Sequence, residues 1–208
     1  MKTLRFLSAL AWCGLALISG AHATTISAGQ TIVASPVDFG GTLVAAAPST
    51  ISGPVIFGSL TAGVFSDPLN TFCSGCLDFF YFVGNSGVEP ITGVFAASFQ
   101  DFPLNVGYAQ VPGGIAPSSI TREPDGNGIL FSLASSVGQG QFSNFLVIQT
   151  PAHSYTFGSA TVEARGGTFG NGGSAFQPTP EPASLLLVST GLLGIAGMVT
   201  ARYRARKA

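Results

Sequence analysis

The chain has 208 residues, of which 46% are apolar and only 8% charged, with 28 Gly, 13 Pro and 17 Phe. That length holds one ordinary domain with appendages, and low charge combined with abundant Phe excludes an intrinsically disordered chain. Six of the eight basic residues stand at the two ends. Between Thr24 and Thr179 only Arg122 and Arg165 face eight Asp or Glu, a net charge of −6 that excludes binding to a nucleic-acid phosphate backbone.

Residues 1–23 read as a secretory signal peptide. Lys2 and Arg5 form a positive start, and Phe6–Ile18 is an apolar run too short to span a bilayer. Ala21-His22-Ala23 supplies a small-residue cleavage site, so the mature chain is expected to begin at Thr24 and to pass through a Sec-type export machinery. Cleavage removes the single Trp, Cys13 and His22.

Residues 24–165 form the expected body. Short apolar segments rich in β-branched and aromatic residues alternate with Gly, Pro, Asn and Ser: Thr42–Ala47, Val55–Thr61, Leu77–Val83, Ile91–Phe99, Ile129–Leu133, Phe145–Thr150 and Tyr155–Ala164. Leu77–Val83 is apolar on both faces apart from Asp78 and predicts a central strand. In Ile91–Phe99, Ile91, Phe95, Ala97 and Phe99 share the face expected to be buried. No stretch combines helical periodicity with freedom from Gly and Pro. The expected fold is all-β, a single antiparallel β-sandwich of jelly-roll type with Phe filling the space between its sheets.

Within the body, Cys73-Ser74-Gly75-Cys76 is the most reactive-looking motif. Outside the cytoplasm two cysteines so close together oxidise, which predicts a structural Cys73–Cys76 disulfide. A thioredoxin-type site needs a helix after the first thiolate, but Leu77-Asp78-Phe79-Phe80 reads as a strand. Zinc needs four ligands, and after signal removal only His153, distant in sequence, could join the two cysteines, so no metal and no cofactor are expected. His153, in Pro151-Ala152-His153-Ser154-Tyr155, reads as a turn residue between strands. Asp125-Gly126-Asn127-Gly128 reads as a tight turn, since it lacks the ligand set and closing Glu of a calcium loop. No nucleophile elbow, zinc-protease helix or phosphate loop is present, and no catalytic residue is expected. A carboxylate pair such as Asp78 with Glu163 is the one hydrolase arrangement left to test.

Residues 166–179, rich in Gly, Ser and Pro, read as a flexible linker. Pro180-Glu181-Pro182 follows, then 19 uncharged residues from Ala183 to Ala201. As a helix they reach about 28 Å, enough for one transmembrane helix. Arg202, Arg204, Arg206 and Lys207 form a basic tail that stays on the cytoplasmic side, placing the body outside.

This order of tripeptide, Gly-containing apolar helix and basic tail resembles the PEP-CTERM sorting signal, with Pro180, Glu181 and Pro182 matching the signature tripeptide. The resemblance implies an exosortase as processing partner in an exopolysaccharide-producing Gram-negative bacterium, with transient membrane anchoring before release to the cell surface or matrix. It implies a structural or adhesive role in an exopolysaccharide or biofilm matrix, with exopolysaccharide as candidate partner. Bodies in that family vary widely, so the tail conveys no molecular activity. Two alternatives stand beside this role: a carbohydrate-binding module of the same matrix, and a secreted hydrolase with an unrecognised carboxylate site.

Overall fold

The computed structural model describes residues 24–165 and 167–180. The signal peptide, Glu181, Pro182, the apolar span and the basic tail lie outside the described residues. Twelve strands follow in chain order: β1 (Thr24–Ile26), β2 (Thr31–Val33), β3 (Thr42–Ser52), β4 (Phe57–Asp67), β5 (Cys76–Asn85), β6 (Ile91–Ala96), β7 (Leu104–Ala109), β8 (Pro117–Arg122), β9 (Ile129–Val137), β10 (Phe145–Gln149), β11 (Tyr155–Ala164) and β12 (Phe169–Pro178). No helix occurs among the described residues.

The strands pair in the order β1-β7-β10-β5-β4-β3-β12-β11-β6-β9-β8-β2, every neighbour antiparallel. This ladder folds into two layers of six that meet at a single bridge, Asn171 with Ser52. At the opposite edge the chain crosses between layers through the Ser27–Gln30 turn, closed by Gln30 N–H to Ser27 O at 3.1 Å. The two ends of the ladder are thus three-residue strands, too short to template pairing with another chain, whereas along the seam the eleven-residue β3 meets β12 at one position only. The result is the expected antiparallel sandwich, with twelve strands where a jelly roll has eight.

The core lies between the layers, and register assigns its residues. In the first layer Leu60, Ala62 and Val64 of β4 stand opposite Val83, Tyr81 and Phe79 of β5, while Leu146 and Ile148 of β10 stand opposite Tyr81 and Phe79. The second layer contributes Val94, Ala96, Ile120, Ile129, Phe131 and Val162. As predicted, β5 is central and buried on both faces. The Tyr81 hydroxyl crosses the sandwich to donate to Phe176 O of β12 at 3.0 Å. Burial pushes its phenol far above the usual range.

Three expectations need correction. In Ile91–Phe99 the ends Ile91 and Phe99 are buried as expected, but Phe95 and Ala97 are not, because a bulge between Ile91 and Gly93 shifts the register. Ile91, Val94 and Ala96 therefore face the core, and Phe95 points outward.

The Phe residues do not all fill the space between sheets. Phe80 and Phe82 leave the outer face of β5, where Phe39, Phe65, Phe142 and Phe145 join them in edge-on and tilted contacts with centroids 4.7–5.8 Å apart. The segment that brings Phe39 there is tied to β7 by Val37 N–H to Tyr108 O at 2.9 Å. Gly107 makes room for it, since a Cβ there would lie 2.2 Å from Val37 Cγ1.

The expected linker is largely β12. Glycines stand at these positions because neighbouring strands approach closely. A Cβ at Gly172 would lie 2.7 Å from Ala160 O and 2.9 Å from Leu60 Cδ2, and one at Gly170 would press on Ile51 and Ile56 at 3.2–3.3 Å. The Ser49 hydroxyl lies between Leu60 O and Gly172 O, tying β3 to β12. Composition alone cannot separate a glycine that confers freedom from one that permits contact. Gly172→Val is expected to destabilise the protein by about 3 kcal/mol in urea unfolding, where a linker substitution would leave the midpoint unchanged.

Candidate functional site

The CxxC turn stands at the start of β5. Cys73 and Cys76 are joined as a disulfide, and Gly75 between them takes φ +80°, a conformation that favours glycine. Cys76 N–H donates to Cys73 O at 3.1 Å, Gly75 N–H to Asp67 O at 2.8 Å, and the Ser66 hydroxyl to Gly75 O at 3.2 Å. The turn is thereby fastened to the end of β4.

His153, distant in sequence, lies beside this turn. Pairing of β5 with β10 continues beyond Gln149: Thr150 N–H donates to Leu77 O at 3.2 Å and Leu77 N–H to Ala152 O at 2.9 Å. That register sets His153 against Cys76. Its Nε2 is 3.8 Å from Cys73 Sγ and 3.9 Å from Cys76 Sγ. The expectation that His153 stands apart from the cysteines is corrected, and the cause is a strand pairing between residues more than 70 apart.

A buried polar network lies beneath. Asn70 Nδ2 donates to Asp78 Oδ1 at 2.6 Å and to Thr150 O at 3.1 Å, and Asn70 Oδ1 accepts Phe72 N–H at 2.8 Å. Gln149 Nε2 donates to Asp78 Oδ2 at 3.1 Å, and Thr71 Oγ1 to Gln149 Oε1 at 2.9 Å. Asp78 is fully buried beside Asp67. Burial raises its carboxyl from 3.8 to about 7, outweighing the lowering by its Gln149 and Asn70 hydrogen bonds, while the Asp67 charge pushes the same way as burial.

A second candidate is a groove of about 490 Å³ on the outer face of the second layer, lined by Phe95, Thr121, Glu123, Leu130, Glu163 and Phe169 among others. Phe169 is 58% exposed. Gly93 and Gly128 open its floor: a Cβ at Gly93 would come within 3.3 Å of Glu163 Oε2, and one at Gly128 within 2.4 Å of Glu123 Oε2. Asp78 and Glu163 lie on opposite outer faces of the sandwich, so the structure does not bring this pair together. Asp78 pairs with Phe65 and Gln149, Glu163 with Gly93 and Phe169.

Asp125–Gly128 forms a turn, with Gly126 at φ +77° and Asn127 N–H on Asp125 Oδ1 at 2.9 Å. Asn127 Oδ1 accepts Ser98 N–H at 3.0 Å, so this oxygen serves the fold. Sequence reasoning passed over Arg122, whose buried guanidinium binds four backbone carbonyls.

The body ends where the C-terminal segment begins. Thr179 N–H donates to Ser154 O at 3.0 Å, one residue before Pro180. Residues 178–204 match the family model of the PEP-CTERM protein-sorting motif. The chain carries this motif, which marks it for exosortase processing and for a destination at the cell surface or outside the cell. No curated protein and no solved structure matches the chain.

Proposed function

We propose that this exosortase-sorted extracellular protein is a structural or adhesive component of an exopolysaccharide matrix, with no catalytic role. The sorting motif at residues 178–204 carries this reading. A further feature supports it: an acidic, Lys-free body that remains hydrated among polysaccharides. Glu181→Ala, or deletion of the exosortase, is expected to leave the chain uncleaved in the membrane, as read by mass spectrometry of its C-terminus. Deleting the gene is expected to weaken the floc or biofilm. An unchanged matrix refutes the structural role and leaves sorting untouched.

A carbohydrate-binding module is the second reading, and the groove favours it. Phe95 and Phe169 supply apolar faces for a sugar ring, while Glu123 and Glu163 supply hydroxyl acceptors. Phe169→Ala is expected to weaken glycan binding by the mature protein about tenfold, a loss near 1.4 kcal/mol. A glycan array without a hit removes this reading.

A further inference from the structure

We propose that Cys73, Cys76 and His153 form a metal site in the dithiol state of the chain, taking one divalent ion of zinc-like softness. The two sulfurs and a ring nitrogen all lie within 4.8 Å of one another. Tetrahedral zinc with ordinary Zn–S and Zn–N bonds holds sulfur and nitrogen about 3.6 Å apart. The observed 3.8 and 3.9 Å separations put His153 Nε2 nearly equidistant from both sulfurs at close to that spacing. The Cα atoms of Cys73 and Cys76 stand 5.3 Å apart, so side-chain rotation lets free thiolates part to the roughly 3.8 Å that tetrahedral coordination needs.

Thiolate and imidazole together select zinc and its neighbours over calcium or magnesium. The backbone is already fixed for this geometry: Gly75 holds the turn open, and the Leu77–Ala152 hydrogen bond holds the loop that carries His153. Three protein ligands leave a fourth position for water or an outside ligand. Cysteines are synthesised as thiols, so the newly exported chain starts in the competent state. Binding releases two protons, one from each thiol, and forms two metal–sulfur bonds and one metal–nitrogen bond. The disulfide uses the same sulfurs, so bridge and metal exclude each other.

The test uses the full chain in detergent with Cys13→Ser, which removes the remaining thiol, kept reduced by a phosphine and titrated with Co²⁺ and then Zn²⁺. The expected result is one Co²⁺ per chain, a thiolate-to-cobalt charge-transfer band and the intense visible bands of a tetrahedral ion, all abolished by Zn²⁺. His153→Ala is expected to weaken Co²⁺ binding at least tenfold and to shift the visible bands. His153 is exposed in a loop, so circular dichroism of that variant should be unchanged. The oxidised chain is expected to bind no Co²⁺. A folded, reduced wild type without the charge-transfer band, equal binding by the oxidised chain, or an unaltered spectrum and affinity in His153→Ala would each overturn the proposal.

Discussion

Arg122→Met is expected to lower the unfolding free energy of the mature protein by about 4 kcal/mol, a large share of the roughly 5–15 kcal/mol that holds a domain folded. The guanidinium is buried, which favours loss of its charge, and it answers that cost with four carbonyls. Nε donates to Gly126 O at 3.1 Å, Nη1 to Ile26 O at 3.1 Å, and Nη2 to Phe99 O at 3.1 Å and Phe102 O at 2.9 Å. Those carbonyls belong to three separate segments: the end of β1, the turn after β6 and the turn after β8. The middle one is strained, with Ser98 at φ +71° and Asp101 at φ +69°. Met fills a similar volume but leaves the four oxygens without this donor. Each buried group that loses its partner costs on the order of 1 kcal/mol or more. Arg122→Lys should recover less than half, because an ammonium cannot fork toward partners spread around a plane. The check is a urea titration: a lower midpoint at unchanged slope supports the hub, and a shift below 1 kcal/mol refutes it.

How far the sequence discloses this fold depends on whether the deciding physics is local. Leu77–Val83 was readable as central because burial on both faces removes polar alternation from the strand itself. Tyr155–Ala164 matches β11 residue for residue, since turn residues flank it on either side. The Asn-Gly turn and the sorting tail were readable for the same reason. The bulge after Ile91 was not, because it depends on how β9 and β11 align with β6. β12 was hidden because glycines required by contact with Leu60, Ile51 and Ile56 have the composition of a spacer. β1 and β2 are three residues each, too short for a period to show. His153 and the cysteines gave no sign of one another, since only the β5–β10 register brings them together. Arg122 registered in the sequence as one of two body cations, and nothing local reveals that four carbonyls converge on it.

Asp78 should make the protein less stable as pH rises from about 4 to about 7, the reverse of the usual carboxylate. In the unfolded chain this group titrates near 3.8, and in the folded protein burial lifts it to about 7. Between those values the folded state holds a proton that the unfolded chain has released. Stability from this group is therefore fully present below about pH 4, falls by roughly 1.4 kcal/mol per pH unit through the window, and levels off above 7. The full span is on the order of 4 kcal/mol. The charged group facing Asp78 is Asp67, whose proximity and hydrogen bond to Asp78 both favour the protonated form. Asp78→Asn removes the titration, and the difference between wild type and variant isolates it from every other carboxylate. With the disulfide intact, wild type should be the more stable below pH 5, where its carboxyl keeps both the Asn70 and Gln149 contacts; the amide group has only one acceptor oxygen for them. By pH 8 the order should reverse, because wild type then holds a buried carboxylate beside Asp67 and the variant does not. A constant difference across that range would show that Asp78 keeps an ordinary pKa despite its burial. The reversal would instead mean that acidification tightens the end of the sandwich carrying the CxxC turn and His153.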